Sequence, residues 1–287
     1  MYRGYYEFIQ HRDPSFPVIF HLNCFPAGNG GFIPHWHEDL ELLFIISGQA
    51  TFFVDGQPFS ASAGDVIVAG FGRMHSMQEA SADIQYYCLI VNPSLCALCG
   101  FSPQQFRVSP HIRDKEISRW MTRITEEFQK KPPYFQQSVK AAITSLLIYL
   151  MRGYAISDEN QDLVTDSKIT MVKQAIRWMQ IHYKQPVSLS DLADQVGFSR
   201  YYLCHVFREI TGYPVSQYLN QLRCANARKL LSSGWTVGAA AAACGFDNLS
   251  YFARTYKRCM GHTPSQDKRD ALDADVSITN GNIFPYS

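Results

Sequence analysis

"GFSRYYLCHVFREITGYPVS", residues 197–216, is followed by "GFDNLSYFARTYKRCMGHTPS", residues 245–265, and the two stretches share one pattern. Each begins with a Gly-Phe pair, continues with a polar residue that can cap a helix, and closes its helical period at a further glycine. In the first copy Ser199 is the predicted cap and Gly212 the predicted end. The repeat therefore predicts two equivalent helices in one chain.

Apolar and polar residues alternate at helical spacing in both copies. The first helix is predicted to bury Leu203, Phe207 and Ile210, with Tyr202 and Val206 widening the stripe. The residues predicted to stay outside it are Arg200, Tyr201, Cys204, His205 and Arg208. The second helix is predicted to bury Tyr251, Phe252 and Tyr256, and its outer residues are Asn248, Leu249, Arg254, Lys257 and Arg258.

A shorter helix precedes each copy. "SLSDLADQVGF" has a candidate cap at Ser188 or Ser190, and "TVGAAAAACGF" leads to the turn at Gly245. Helix, glycine turn, helix is the pattern of a helix-turn-helix unit, whose second helix enters the major groove of DNA. Between the units, "PVSQYLNQLRCANARKLLSS" predicts one helix of about seventeen residues, or ~26 Å.

The charge of the chain is unevenly distributed. Residues 168–268 hold 13 Lys and Arg against 5 Asp and Glu, whereas residues 1–167 hold 12 against 17. A basic C-terminal third indicates a polyanionic partner for that part alone, although an ordinary solvated basic surface would give the same counts. Arginine can read guanine, asparagine can read adenine and lysine can contact phosphate, so the outer residues predict binding to double-stranded DNA.

Residues 169–268 resemble the DNA-binding domain of the AraC/XylS family of bacterial transcription regulators. The matching stretches are "LADQVGFSRYYLCHVFREITGYPVSQYL", "RKLL" and "CGFDNLSYFARTYKRCMGHTPS". The resemblance implies two helix-turn-helix units on one chain, a role as activator and RNA polymerase as a partner. The chain departs from the family pattern in its small residues at positions 239–243 and in Asp267, which stands where an aromatic residue is usual. The small residues predict looser packing of the second unit, and both departures together predict a less stable second unit or a weaker grip on DNA.

The N-terminal third predicts an all-β domain. "PHWHEDLELLFIISGQATFFVDGQPFSASAGDVIVAGFGRMHSM", residues 34–77, places turn glycines between short β-rich runs, as in an antiparallel barrel or jelly roll. His35, His37 and Glu41 have equal parity and would share one face of a strand, and His75 comes from a later strand. Three imidazoles and one carboxylate form a candidate site for zinc, iron, nickel or manganese.

This stretch resembles the cupin fold. Its first motif is met in full by His35, His37, Glu41 and Gly48. Its second is met in part: Gly64, Gly72 and His75 fit, whereas Gly70 and Glu79 replace the usual proline and asparagine. The resemblance implies a sensor domain for a small-molecule effector, and a sugar is the first candidate. Bound divalent metal, polar contacts to an effector and a purely structural polar cluster remain three alternatives for the four side chains, and no cofactor is required.

Helical periodicity returns between the two domains. Two apolar stripes separated by Pro132-Pro133 predict an antiparallel helical hairpin, which would either form a homodimer or cap its own barrel. The predicted organisation is a cupin-like barrel over residues 1–105, a hairpin over 106–152, a polar linker over 153–168, a double helix-turn-helix domain over 169–268 and a flexible tail over 269–287. The aromatic residues near the N-terminus would form either an arm over the pocket or a first strand; they are Tyr2, Tyr5, Tyr6, Phe8, Phe16 and Phe20.

Composition bounds the function further. No stretch approaches the ~18 to 20 unbroken apolar residues of a membrane span, and the N-terminus lacks the apolar region of a secretory signal. We therefore expect a cytoplasmic protein that is not an enzyme: a ligand-responsive transcription regulator. The alternatives are a metal-dependent cupin enzyme with an accessory DNA-binding domain and a DNA-binding protein that needs no ligand.

Overall fold

The computed structural model describes residues 11, 13–25, 31–78, 83–156 and 163–268. The chain divides into two compact units, one ending at Ile169 and the other beginning at Thr170. An all-β N-terminal domain with a helical hairpin precedes an all-α C-terminal domain, which confirms the predicted fold class. Within the described ranges, none of the helices combines the length and apolar character that crossing a bilayer requires.

The N-terminal unit contains two antiparallel sheets. Among the described residues its strands are β1 Val18–Phe25, β2 Phe32–His35, β3 Leu40–Ser47, β4 Gln49–Val54, β5 Gln57–Ser62, β6 Asp65–Ala69, β7 His75–Met77, β8 Ile84–Val91 and β9 His111–Arg113. One sheet has the order β1-β8-β3-β6-β9 and the other β2-β7-β4-β5. Phe52 of the second sheet meets Tyr86 of the first edge to face at 6.0 Å, so the interior lies between the sheets.

The two faces of the five-stranded sheet bury different residues, because successive side chains on a strand point in opposite directions. On β3, Leu40 and Leu42 pack into an apolar core outside the sandwich. Glu41, between them in sequence, points instead into the space between the sheets. This alternation places a carboxylate in the interior of the domain.

A helical hairpin covers the outer face of the five-stranded sheet. It follows the short helix α1, Ser94–Leu98, and consists of α2, Lys115–Lys130, and α3, Phe135–Gly153. Asp114 caps α2 by accepting a hydrogen bond from the backbone N–H of Glu116. The predicted hairpin is present, and its apolar stripes pack into the same core as the sheet, although Trp120 and Phe128 on α2 are only partly buried. The hairpin therefore packs on its own barrel, and the homodimer stays a prediction.

The C-terminal unit is built from helices. They are α4 Leu163–His182, α5 Leu189–Val196, α6 Arg200–Thr211, α7 Val215–Ser232, α8 Val237–Ala243 and α9 Leu249–Met260, and residues 264–268 are also helical. Of the two candidate caps for α5, the structure uses Ser188. Ser199 caps α6, and Gly197 and Gly212 end α5 and α6 in the left-handed conformation, as predicted. The 18-residue α7 is the long helix predicted between the two units.

Two aromatic residues predicted to be buried are exposed. Tyr251 precedes Phe252 by one residue, so it lies about 100° around α9 from the buried face. It is 43% exposed, and its hydroxyl accepts a hydrogen bond from Asn220 at 3.0 Å. Tyr202 is displaced from the buried face of α6 in the same way and stacks on Phe198, with ring centroids 5.1 Å apart. The buried apolar stripes of α6 and α9 are therefore narrower than predicted.

The linker predicted over residues 153–168 is shorter in the structure. α3 extends to Gly153, and Ala155 forms an isolated bridge with Val108. α4 already begins at Leu163, and its buried residues start at Ile169. The polar composition of this stretch concealed the first turns of a helix.

Some sequence predictions fall on residues outside the described ranges: Tyr2, Tyr5, Tyr6, Phe8, Glu79 and the tail at 269–287. Two of the N-terminal aromatic residues are described. Phe16 and Phe20 pack on Phe128 of α2, with ring centroids 5.9 and 4.7 Å from it. Phe20 lies on β1, so these two belong to the first strand region and its packing on the hairpin.

Candidate functional site

Four polar side chains meet in the interior of the N-terminal domain, and we call them the histidine–glutamate cluster: His35, His37, Glu41 and His75. One ligand atom from each lies within 4.8 Å of the others, and all four residues are buried. His35 ends β2 and pairs with His75 at the start of β7, while Glu41 comes from β3 of the facing sheet. His37 lies in the turn between β2 and β3. The predicted convergence is therefore observed, although His37 reaches the site from a turn and not from a strand.

Backbone carbonyls fix the orientation of all three imidazoles. Nδ1 of His35 donates to Ile33 O at 3.1 Å, and Nδ1 of His37 donates to Asp39 O at 3.0 Å. His75 does the same with Arg73 O at 3.0 Å. A carbonyl oxygen can only accept, so each Nδ1 carries a proton and the Nε2 atoms are left for the interior.

The carboxylate of Glu41 faces these inward nitrogens. Its Oε2 lies 2.8 Å from Nε2 of His37 and 3.1 Å from Nε2 of His75. Burial alone would raise the pKa of Glu41, but His75 and His37 outweigh it and hold that pKa well below its usual range. Burial, reinforced by the nearby His75, holds the pKa of His35 well below its usual range. The cluster therefore pairs an ionised carboxylate with imidazoles of which His35 is neutral.

Apolar and sulfur groups complete the surroundings of the cluster. Phe32 presents its ring edge-on to His35 and His75, at centroid distances of 5.3 and 6.1 Å. The thiol of Cys88 on β8 donates to Oε1 of Glu41 at 3.1 Å. Sequence reasoning missed Cys88, because only the pairing of β3 with β8 brings it to this carboxylate. The second carboxylate oxygen of Glu41 therefore accepts a hydrogen bond from a residue that lies outside the cupin motifs.

Chemically, the cluster can bind a cation or a polar ligand. Imidazole and carboxylate together suit zinc, iron, nickel and manganese, and histidines that hold a metal typically donate their other N–H to a carbonyl or carboxylate. The three Nδ1 hydrogen bonds fit that requirement. The same inward nitrogens and carboxylate could instead bind the hydroxyl groups of a small organic molecule.

The outer face of α6 carries the first group of predicted DNA contacts. Arg200, Tyr201, His205 and Arg208 are exposed, and Cys204 is half-buried. Arg200 is the first residue of the helix, and Arg208 lies two turns later. Tyr201 is 84% exposed and stacks on the ring of His205, so a large aromatic surface lies between the two arginines.

The outer face of α9 carries the second group. Asn248, Leu249, Arg254, Lys257 and Arg258 are all exposed. Asn248 has a structural task as well, since its side chain caps α9 by accepting from the backbone N–H of Tyr251 at 2.8 Å. Its amide N–H₂ group is therefore the part that can still donate to a ligand. Every residue predicted for DNA contact lies on α6, on α9 or, for Asn248, at the cap of α9. We call α6 and α9 the recognition helices.

Comparisons with known proteins match both halves of the chain. A family model described as an AraC-like ligand binding domain matches residues 26–162, and one described as a helix-turn-helix domain matches residues 192–270. The HTH-type transcriptional regulator YdeC of Bacillus subtilis is 23% identical over 280 residues, which are 92% of this chain and 95% of that protein. The HTH-type transcriptional activator RhaR of Escherichia coli is 25% identical over 249 residues, 82% of this chain and 86% of its own.

Among solved structures, ToxT of Vibrio cholerae matches with a TM-score of 0.48 at 12% identity, covering 89% of this chain and 99% of that one.

Proposed function

Because the chain belongs to the AraC family of transcription regulators, with a ligand-binding domain before its DNA-binding domain, we propose that its histidine–glutamate cluster is the effector site. The observation that carries this proposal is the convergence of four buried ligand atoms within 4.8 Å, inside the domain that matches the ligand-binding family. Hydrogen bonds to backbone carbonyls orient the three imidazoles, so their inward nitrogens and the Glu41 carboxylate could bind an effector or ion together.

We also propose that the protein activates transcription. The relatives named RhaR are activators, and they match most of this chain. We propose that it acts at its promoters through RNA polymerase, in the cytoplasm. We propose in addition that the protein forms a homodimer.

The occupant of the cluster decides between sensing and catalysis. The inward Nε2 atoms and the tethered Nδ1 protons support a divalent metal held by His35, His37, Glu41 and His75. Such a metal would supply a Lewis-acidic position for an oxygen of a small effector, including a sugar hydroxyl. We propose that the domain senses and does not catalyse, since the matched relatives are named as transcription regulators.

Thermal unfolding of the full chain tests the site. Zn²⁺, Ni²⁺ and Mn²⁺, each added alone, and a panel of sugars are compared for the rise in Tm that follows selective binding to the folded state. The double variant His37→Ala/Glu41→Ala should lose the response, and Glu126→Gln, an exposed carboxylate on α2, is the matched control that should keep it. A double variant that responds like the wild type would show that the cluster is structural. Turnover of any compound that raises Tm would favour the cupin enzyme.

A further inference from the structure

Arg223, near the middle of α7, binds the backbone that leads into the first helix-turn-helix unit. Its Nε donates to Tyr183 O at 2.8 Å, and its Nη2 donates to Gln185 O at 2.8 Å. These two carbonyls lie between the end of α4 and the start of α5. Burial lowers the pKa of this guanidinium, and the negative charge of Asp247 opposes that shift only in part. The side chain is therefore committed to protein contacts and is not an ordinary solvated arginine of a basic surface.

The same guanidinium also reaches the second helix-turn-helix unit. It lies over the ring of Phe246, 5.7 Å from the ring centroid, at a distance typical of a cation–π contact. Phe246 follows the turn glycine of that unit, and it is anchored by Phe252 of α9, with ring centroids 4.9 Å apart. Arg223 therefore contacts both the segment that precedes the first unit and the turn inside the second unit.

A second observation places the same two segments in direct contact. Gly245 has φ +78°, and a Cβ added to it would lie 2.6 Å from Tyr183 O and 3.0 Å from Lys184 O. Any other residue would need both a strained backbone and a displaced neighbour. The turn of the second unit therefore packs, backbone to backbone, on the segment that leads into the first. We call residues 183–185, Arg223, Gly245 and Phe246 the junction.

We propose that the junction sets the spacing between the two recognition helices, with Arg223 as the positioning residue, so that α6 and α9 engage DNA as one rigid pair. This inference rests on the proposed reading of DNA by both units. α7 packs on α6 through Tyr218, and its C-terminal half packs on the second unit through Cys224, Ala225, Ala227 and Leu231. The junction adds a direct contact between the two units beside α7 and limits bending between them, which raises the effective concentration of the second contact once the first has formed.

Binding of the full chain to three DNA duplexes tests the proposal. The first is selected by the wild-type protein from a random duplex library, the second carries five extra base pairs between its two protected segments, and the third has one segment scrambled. The wild type should bind the first at least ~10-fold more tightly than the second. Arg223→Gln should reduce that preference to within ~2-fold while leaving affinity for the third duplex, and its salt dependence, unchanged.

Two further variants separate positioning from charge. Arg223→Lys keeps the charge but loses the planar fork that reaches two carbonyls, so it should restore the preference only in part. Lys229→Gln removes one charge from an exposed position on the same helix and should keep the full preference. Should Arg223→Gln fail to fold, judged by hydrogen exchange in α8 and α9, Phe246→Leu perturbs the same contact and should also abolish the preference.

The outcomes that contradict the proposals are distinct. A spacing preference that survives both Arg223→Gln and Phe246→Leu overturns the junction while leaving two-unit binding intact. A loss of affinity for all three duplexes with a smaller salt slope shows that Arg223 binds phosphate and overturns its positioning role. A wild-type protein without any spacing preference overturns the two-unit reading of DNA on which the junction rests.

Discussion

Asp267 is a buried carboxylate at a position where the AraC family usually has an aromatic residue. The hydroxyl of Tyr256 donates to it, Nε2 of His262 lies 2.8 Å from it, and Nε of Arg228 lies 3.5 Å from it. From this departure we expected a less stable second unit or a weaker grip on DNA, and that stays a prediction. In the structure, polar groups from α7, α9 and the turn after α9 lie beside this carboxylate.

Replacing this carboxylate should destabilise the second unit locally. We expect Asp267→Ala to cost about 1–3 kcal/mol, because the buried Tyr256 hydroxyl would lose its acceptor and the nearby His262 and Arg228 would lose the carboxylate beside them. Faster hydrogen exchange of the α9 amides measures this effect. The exposed Asp194 on α5 provides the control, since Asp194→Ala should leave α9 exchange unchanged. Equal exchange in both variants would mean that the Asp267 network adds nothing to the second unit.

Asp65 should make the stability of the barrel depend on pH. Burial alone would raise its pKa, but hydrogen bonds from Arg113 and the backbone of Ser62 outweigh it, so the folded pKa lies below the usual value. The carboxylate therefore stabilises the fold fully above its unfolded pKa of about 4, and that contribution disappears as the pH falls through the lower folded pKa. We expect Asp65→Asn to lower the free energy of unfolding by about 1–2 kcal/mol at pH 7.

Urea unfolding of wild type and Asp65→Asn between pH 7 and pH 3 measures the difference, which should shrink below about pH 4. Glu126→Gln removes an exposed carboxylate and should change stability by less than about 0.5 kcal/mol at any pH. A difference for Asp65 that is constant over this range would show that the aspartate acts without its charge.

At the scale of single elements, the two arginines of α6 lie two helical turns apart, and we expect them to differ in role. We expect Arg200, at the first position of the helix, to read a base and Arg208, two turns later, to contact phosphate. We expect Arg200→Ala to reduce discrimination at one base pair by about 1–3 kcal/mol and Arg208→Ala to weaken binding to all sequences alike. Fluorescence anisotropy with the selected duplex and its single-base-pair variants measures both. Identical specificity profiles for the two variants would contradict this assignment.

The elements themselves were largely predictable because their signals are local. The caps Ser188 and Ser199, the glycine ends and the apolar spacing all act within about one or two helical turns. The errors also occurred at this scale. Tyr202 and Tyr251 were assigned to buried stripes, because sequence spacing alone does not fix how wide a stripe the neighbouring helices can cover. The first turns of α4 were missed because their composition is polar.

At the scale of the whole molecule, charge separates the two functions. The stretch from 168 to 268 carries 13 basic against 5 acidic residues, so DNA binding should release condensed counterions. We expect the logarithm of the DNA affinity to fall linearly with the logarithm of salt concentration, with a slope of about −0.9 for each phosphate neutralised. Titrations of the full chain at several salt concentrations measure the slope. A flat profile would contradict the assignment of this surface to DNA.

The repeated helical pattern, the alternation of inward and outward residues along the strands and the motif histidines are all visible in the sequence. By themselves they determined the two-domain architecture and the class of the protein. Two features needed the tertiary structure. Cys88 reaches Glu41, 47 positions earlier in the chain, because the register of β8 on β3 pairs Cys88 with Leu43, which lies two residues from Glu41 on the same strand. Arg223 looks in sequence like one more cation of a basic domain, and only the packing of α7 against residues 183–185 shows that protein carbonyls bind it. Periodicity and caps act between near neighbours along the chain, whereas these contacts depend on which distant backbone atoms the folded chain brings within hydrogen-bonding distance.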